Sequence, residues 1–393
     1  MKAGHRKQAV TCAAIALALA FLWQFLVVRY TLSGRWTGLF YTGGNLTQPP
    51  SLADEQLFVF PHSNGYDGQF YHYVAHDPLF RKGLARYIDA PRLRYRRILV
   101  PALASLLAAG QSHYIDAALI AVNLFFVFAG SYWLSRFALQ FGAHPGIGLL
   151  FLLVPAVLVG IDRLTTDLAL AALCVGFAMY VAEQRFGKLY LILALAPLAR
   201  ETGLLLTAGY SVALVLQQQF KRTFVFASSA APALVWYGFV HNHTPAYNTH
   251  AWLIPLPLGG LISRMIHPIN YPLIPAVKWT AMILDEFALA GVLIAILLAF
   301  RLVVSTHGES PSWLRTLAIV AALIALSALN LGAPFWGDPY SFSRIFSPLL
   351  LLVALPACCS RHWLSLLPIA MTIPRIGLQF AYEFYRIARA MFA

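Results

Sequence analysis

The chain has 393 residues, of which 60% are hydrophobic and 11% charged, and its mean hydropathy is +0.68. That is too apolar for a water-soluble domain, so the chain must use lipid as solvent. The formal net charge of +13 points to lipid headgroups and membrane topology rather than nucleic acid, for which no groove-reading fold fits.

A helix needs about 20 apolar residues to cross roughly 30 Å of hydrocarbon. The N-terminus carries Lys2, Arg6 and Lys7 ahead of an apolar run from Ala9 to Val28. The run is too long for the core of a cleaved signal peptide and reads as a first span (9–28) with a cytoplasmic N-terminus. A large first outer loop (29–112) follows, and within it Ile98–Gly110 is too short to span and contains Pro101, which predicts a surface helix. The remaining spans (113–380) are expected near His113–Arg136, Pro145–Gly160, Thr165–Ala182, Leu189–Ala199, Gly203–Leu216, Thr223–Val240, Lys278–Phe300, Leu314–Leu331, Ser341–Cys359 and His362–Phe380. That makes about eleven in one all-α transmembrane domain (1–393), with a second long outer loop at 241–277. Several fall short of a full crossing, as kinked or half-crossing helices around polar cavities do.

Threaded from an inside N-terminus, the short cytoplasmic loops hold Arg136, Arg185 with Lys188, Lys221 with Arg222, Arg301 with Arg315, and Arg361, whereas the outer loop Gly332–Tyr340 has no basic residue. This is the positive-inside pattern. Segment 29–97 breaks it with nine Lys or Arg, but exceeds the loop length for which the rule holds. The same threading brings Asp67, Asp77, Asp162, Asp167, Arg200, Glu201, Asp338 and Arg344 to outer helix ends or outer loops. Ionisable groups there are costly and line functional cavities. Cys12, Cys174, Cys358 and Cys359 all lie in apolar runs and imply neither disulfides nor a metal-binding pair.

Asp67 lies in Tyr66-Asp67-Gly68-Gln69-Phe70-Tyr71, and suits a general base for an acceptor hydroxyl or, more plainly, a capping acid. Asp77, in Ala75-His76-Asp77-Pro78, offers the same choice. Phe70, Tyr71, Tyr73 and Phe80 read first as an interfacial aromatic belt, and secondly as sugar-stacking rings. Arg81, Lys82, Arg86, Arg92, Arg94, Arg96 and Arg97 form a basic run suited to anionic headgroups, and Arg96 and Arg97, nearest the membrane, suit a substrate phosphate. Asp162 and Asp167 flank a short outer turn, as helix caps or as a second acidic wall, with a divalent cation shared with Asp67 as one option. Arg200 and Glu201 interrupt an apolar stretch; as helix neighbours they point about 100° apart, so each needs its own partner. Asp338 and Arg344 flank the last outer loop, as a salt bridge or as phosphate ligands. His241, His243 and His250 have a loose metal-ligand look without helical spacing. There is no Gly-rich phosphate loop, so no nucleotide is expected as cofactor.

The Tyr66–Tyr71 block, Ala75–Pro78, Arg94-Tyr95-Arg96-Arg97 and Arg200-Glu201-Thr202-Gly203 together resemble a bacterial branch of the C-superfamily membrane glycosyltransferases associated with cell-surface glycopolymers. The resemblance implies a polyprenyl-phosphate sugar as donor, a glycan or lipid acceptor, and inverting transfer on the outer face of the bacterial inner membrane. It gives Asp67 the place of the first-loop catalytic acid and Asp162 or Asp167 that of the second. Tyr71, Arg96, Arg97, Arg200, Glu201, Asp338 and Arg344 are then expected to bind substrate. The chain departs from oligosaccharyl- and protein-mannosyl-transferases, having no large C-terminal outer domain and no Asp-X-Asp pair in its first loop, which argues against metal dependence and a protein acceptor. A transporter or flippase of lipid-linked sugars, and a non-catalytic subunit of a surface-polymer machine, are the alternatives.

Overall fold

The structure, a computed structural model, describes residues 3–245, 256–271, 274–306, 310–337, 339–360 and 363–392. The all-α expectation holds: the only strands among the described residues are a short parallel pair, β1 (Thr42–Gly43) with β2 (Val59–Phe60). In chain order the helices begin with α1 (Ala3–Thr31), α2 (Asp67–His76), α3 (Pro91–Arg96), α4 (Leu99–Leu107) and α5 (Ser112–Gln140). Next come α6 (Pro155–Arg163), α7 (Asp167–Glu183), α8 (Phe186–Ala199), α9 (Leu204–Leu216), α10 (Phe220–Ala227), α11 (Ala231–His243) and α12 (Gly259–Ile266). The C-terminal part holds α13 (Pro275–Ser305), α14 (Ser312–Ser327), α15 (Ala333–Trp336), α16 (Pro339–Ile345), α17 (Ser347–Ala354), α18 (Ala357–Ser360) and α19 (Leu367–Phe392).

Among the described residues, six helical stretches are long and apolar enough to cross a membrane: Gly4–Thr31, Ser112–Gln140, Phe220–His243, Pro275–Ser305, Ser312–Asn330 and Trp363–Phe392. A seventh results if Pro145–Leu153 and Pro155–Arg163, bent by 64°, count as one span. Length and composition thus support six or seven of the expected eleven among the described residues. The segments expected at 189–199, 203–216 and 341–359 do contain apolar helices, but short ones. The 14 residues of α8 rise only about 21 Å, short of the roughly 30 Å of hydrocarbon.

The apolar surface is arranged as lipid demands. Ala9, Ala13, Ala16 and Ala20 of α1 are buried in a seam of small side chains, while Ile15, Leu19, Phe21, Leu22 and Phe25 are exposed. Small residues let α1 lie close against α5, and the large apolar ones cost nothing when they face lipid. At the centre is α7, buried on every face from Asp167 to Val181 and packed on α5, α6, α8 and α17. The break before α6 falls at Pro155, which lacks a backbone donor. The next donor, the Ala156 amide, is satisfied by Ser347 Oγ at 2.9 Å.

Residues 32–111 fold into a cap with its own core, in which Leu52, Phe70, Tyr73, Val74, Leu84, Ile88, Tyr95 and Ile98 pack with Val240 of α11. This corrects the expected interfacial belt. Phe70, Tyr71 and Tyr73 are buried, because α2 is enclosed from Gly68 to His76. Phe80 stacks on Tyr95 with ring centroids 3.9 Å apart. The predicted surface helix appears as α4, packed on α2 and α5, with Leu106 and Leu107 exposed on its other side.

Candidate functional site

The first motif folds into the start of α2, and each of its residues has a separate task. Gly65 is left-handed at φ +73°, and an added Cβ there would meet Gln69 Nε2 at 2.4 Å. Gln69 clamps the preceding loop, donating from Nε2 to the Asn64 carbonyl at 2.9 Å and accepting the Gly43 amide at 3.0 Å. Gly68 is needed because a Cβ would sit 2.3 Å from the Arg163 carbonyl oxygen. The absent side chain allows α2 to start against the α6–α7 turn, which brings Asp67 close to Asp167. Both acids stand in the first turn of their helices, where the helix dipole favours negative charge.

Asp67 and Asp167 are joined through arginine. Arg94 Nη1 lies 2.9 Å from Asp67 Oδ1, and Arg344 Nη2 lies 2.9 Å from Asp67 Oδ2, an ion pair on each oxygen. Arg344 Nε lies 3.4 Å from Asp167 Oδ2, and Arg200 Nη1 pairs with Asp167 Oδ1. Beside them, Arg97 grips Glu201 with Nε at 2.9 Å and Nη2 at 2.5 Å, and its Nη1 donates to the Tyr71 hydroxyl at 3.0 Å. Arg94 also holds Asp89 in a two-point contact at 3.0 and 2.9 Å, and its guanidinium lies 5.0 Å from the Phe70 ring centre. Tyr66 presents its ring to Arg344 at 5.2 Å. Four buried arginines thus face Asp67, Asp167 and Glu201, with the half-exposed Asp89 at the edge.

Arg200 and Glu201 diverge as their adjacency requires. Arg200 leaves α8 in an extended conformation and turns to Asp167, while Glu201 opens the next turn and turns to Arg97. Each finds its own partner, as predicted, in a protein side chain. Burial alone would raise the Asp67 carboxyl, but Arg94 and Arg344, backed by Arg97 and Arg200, hold it well below the usual carboxylate range. Burial likewise pushes the Tyr71 phenol up, and Arg97 and Arg94 more than reverse this. Asp67 keeps 16% of its side chain accessible against 2% for Asp167, so Asp67 is the more reachable of these two carboxylates.

The other expected site residues fall elsewhere. Asp77 accepts the amides of Arg81 at 2.6 Å and Leu84 at 3.1 Å, which makes it the cap of the turn after α2 at the far end from Asp67. Asp162 pairs with Arg163 at 3.4 Å and accepts from the Trp23 indole at 3.4 Å. Arg163 lies over the rings of Tyr41, Tyr66 and Tyr340, a neighbouring group that meets the arginine cluster at Tyr66. Arg96 turns to the Tyr237 ring at 5.4 Å. Asp338 and His250 lie outside the described residues. His243 stacks on Phe80, and its Nδ1 donates to the Phe239 carbonyl of its own helix at 2.8 Å. Between Asp67 and Asp167 stands a guanidinium, so the shared-cation arrangement is replaced by arginine.

Two features escaped sequence reasoning. Arg94 was only one of a basic run, although its spacing of three from Arg97 puts both near one face of a turn. A second buried cluster joins α13 and α19: Arg375 Nε donates to Asp285 Oδ1 at 2.5 Å, and the Tyr271 hydroxyl donates to Asp285 Oδ2 at 2.6 Å. Asp285 and Arg375, each set in an apolar helix, carried the usual signal of an ionisable residue at membrane depth.

No family model matches this chain, and no curated protein or solved structure matches it either. The functional reading therefore rests on the site itself.

Proposed function

We propose that this protein is a membrane glycosyltransferase of the C-superfamily type, moving a sugar from a polyprenyl-phosphate donor to a hydroxyl of a cell-envelope glycan or lipid. The observation that carries the proposal is a partly accessible carboxylate at the centre of a buried arginine cluster, Asp67, held between Arg94 and Arg344. Arginine presents a planar fork that suits phosphate. An apolar groove of about 570 Å³, lined by Ile98, Ala102, Leu106, Leu198 and Trp236 among others, begins one residue after Arg97 and two before Arg200. It suits a lipid chain whose phosphate reaches these arginines.

In the proposed step the donor phosphate engages Arg344 and Arg200 and draws Arg344 off Asp67. The freed carboxylate, no longer held down by that guanidinium, is a stronger base. It takes the acceptor's hydroxyl proton while the acceptor oxygen bonds to the anomeric carbon from the opposite face. The bond from that carbon to the phosphate oxygen breaks, its electron pair leaves with the phosphate, and arginine stabilises the charge. The anomeric configuration inverts. Shorter helices such as α7, α8, α9 and α17 complete the bundle towards eleven crossings, with the N-terminus cytoplasmic and the site on the outer face of the bacterial inner membrane.

A second reading has a specific observation behind it. An aspartate locked between arginines also suits a headgroup-binding site without bond-making, as in a flippase of lipid-linked sugars. Purified protein incubated with a polyprenyl-phosphate sugar and a hydroxyl acceptor separates the two. Release of polyprenyl phosphate with an inverted glycoside product is the expected result. Translocation of the intact lipid-linked sugar across a vesicle bilayer, without release, would replace the transferase reading with the flippase.

A further inference from the structure

Away from the arginines, at the other end of α2, a second constellation is assembled from three parts of the chain. His72 and His76, four residues apart, share one face of the helix. Glu55 comes from the end of the helical turn Pro50–Glu55, and Asp116 from the first turns of α5. His72 Nε2 lies 2.7 Å from Asp116 Oδ1, 3.0 Å from His76 Nε2 and 3.5 Å from Glu55 Oε2. His76 Nε2 lies 3.4 Å from Glu55 Oε1. One potential ligand atom from each residue lies within 4.8 Å of the other three. Both imidazoles are inaccessible to solvent, at 0% and 1% side-chain exposure, and the carboxylates retain 14% and 26%.

With both imidazoles neutral and both carboxylates ionised, hydrogen bonding does not account for all of these contacts. Each neutral imidazole carries one N–H. If only His76 bears its proton on Nε2, the bare His72 Nε2 faces the Asp116 oxygen at 2.7 Å, lone pair to lone pair. If only His72 does and gives it to Asp116, the bare His76 Nε2 faces Glu55 at 3.4 Å. If both do, two donors face each other at 3.0 Å. Glu55 Oε2 is buried with no hydrogen-bond partner among the described residues. A cation at the centre receives all these lone pairs and offsets two carboxylate charges.

We propose that Glu55, His72, His76 and Asp116 bind a structural zinc ion. Four donors about 2.1 Å from zinc form a tetrahedron with edges of about 3.4 Å; His72 Nε2 lies 2.7, 3.0 and 3.5 Å from its Asp116, His76 and Glu55 neighbours, and one donor atom from each of the four residues lies within 4.8 Å of the others. Two imidazoles and two carboxylates favour zinc over the oxygen-only sites of calcium and magnesium. With four protein ligands the site is closed, as structural sites are. His72 and His76 lie about 7.5 and 13.5 Å along the helix from Asp67, so the ion touches no reacting group. Its effect is to pin the 50–55 turn, α2 and the start of α5 together. Since α2 carries Asp67 at its other end, the four ligands are positioning residues for the arginine cluster.

The test uses full-length protein purified in detergent without chelator. Metal analysis should find about one zinc per chain. Protein stripped and refilled with Co2+ should show the strong visible d–d bands of a tetrahedral site. His76→Gln and Asp116→Asn should each lower zinc affinity by at least about tenfold, since even changes outside the ligand set cost that much. Zinc should raise the thermal midpoint of stripped wild type but not of His76→Gln, and Asp67→Asn should keep its zinc. Wild type that takes up neither zinc nor cobalt on dialysis would overturn the proposal, leaving a hydrogen-bonded His–carboxylate network. Octahedral cobalt spectra, or full zinc affinity in both ligand variants, would also overturn it. Because the cobalt spectrum is read on wild type, the outcome stands even if a variant fails to fold.

Discussion

Asp67→Asn should abolish sugar transfer and at the same time tighten binding of the lipid phosphate. The unusual half of this prediction comes from the geometry. Asp67 is the internal anion that holds Arg94 and Arg344 at 2.9 Å each, and in the proposed step the donor phosphate has to compete with it. Asparagine keeps the shape and one acceptor oxygen but loses the charge. Hydrogen bonds to charged groups contribute about 1.5–3 kcal/mol, and pairs with both partners charged are roughly twice as strong as neutral ones. Weakening the competitor by about 1.4 kcal/mol makes donor binding about tenfold tighter. The cost to folding stays below the ~3–5 kcal/mol of an orphaned buried charge, because Arg94 retains Asp89 and Arg344 retains Asp167. The assay pairs equilibrium binding of radiolabelled polyprenyl phosphate in nanodiscs with turnover of the same preparation, after thermal melting shows that the variant is folded. Loss of donor affinity alongside turnover would mean that Asp67 holds the donor rather than competing with it. Wild-type turnover would remove Asp67 from the chemistry.

Arg200→Lys and Arg344→Lys should weaken donor binding by about tenfold or more, since lysine lacks the two-point fork, whereas Arg86→Lys on the exposed face should bind like wild type; equal affinities in all three would move phosphate recognition elsewhere. Asp77→Asn should cost about 1–2 kcal/mol of stability through its weakened hold on the Arg81 and Leu84 amides, read as a lower thermal midpoint, with turnover per folded molecule unchanged. Gly68→Ala should cost about 1–3 kcal/mol and reduce turnover more than Asp77→Asn does, because its Cβ would collide with the Arg163 carbonyl and lift Asp67 from its arginines. Asp67 has a folded-state pKa depressed by those arginines, so its stabilising contribution is full above the unfolded value of about 3.9 and is lost as pH falls through the folded one. The difference in thermal midpoint between wild type and Asp67→Asn should therefore be flat from about pH 5 to 8 and shrink only below about pH 4; a change centred near neutrality would contradict the depressed pKa.

Much of the site was legible because the cost of burying a charge is a local property. Arg200, Glu201 and Arg344 stood out as charges set against apolar runs, and Asp67 and Asp167 as acids at turns beside them; all five meet in one cluster. The divergence of Arg200 and Glu201 followed from adjacency alone. The class of the protein was also readable, because a 60% hydrophobic chain has no fold available in water. The number of crossings was not, since a run of apolar residues leaves open where a helix breaks. The bend at Pro155 and the short α8 depend on neighbours, such as Ser347, that satisfy the freed backbone.

Partner choice was decided only in three dimensions. Asp77 and Asp67 sit in similar aromatic surroundings in the chain, yet one caps a turn and the other meets Arg344, because α2 holds its two ends apart. The aromatic block suggested a lipid-water belt, and enclosure of α2 by the cap made it a core. His72 and His76 showed a spacing that many helices share. What gives them meaning is the approach of Glu55 and Asp116 from separate segments. A sequence states what each charge costs to bury; which opposite charge offsets that cost depends on distances that only packing sets.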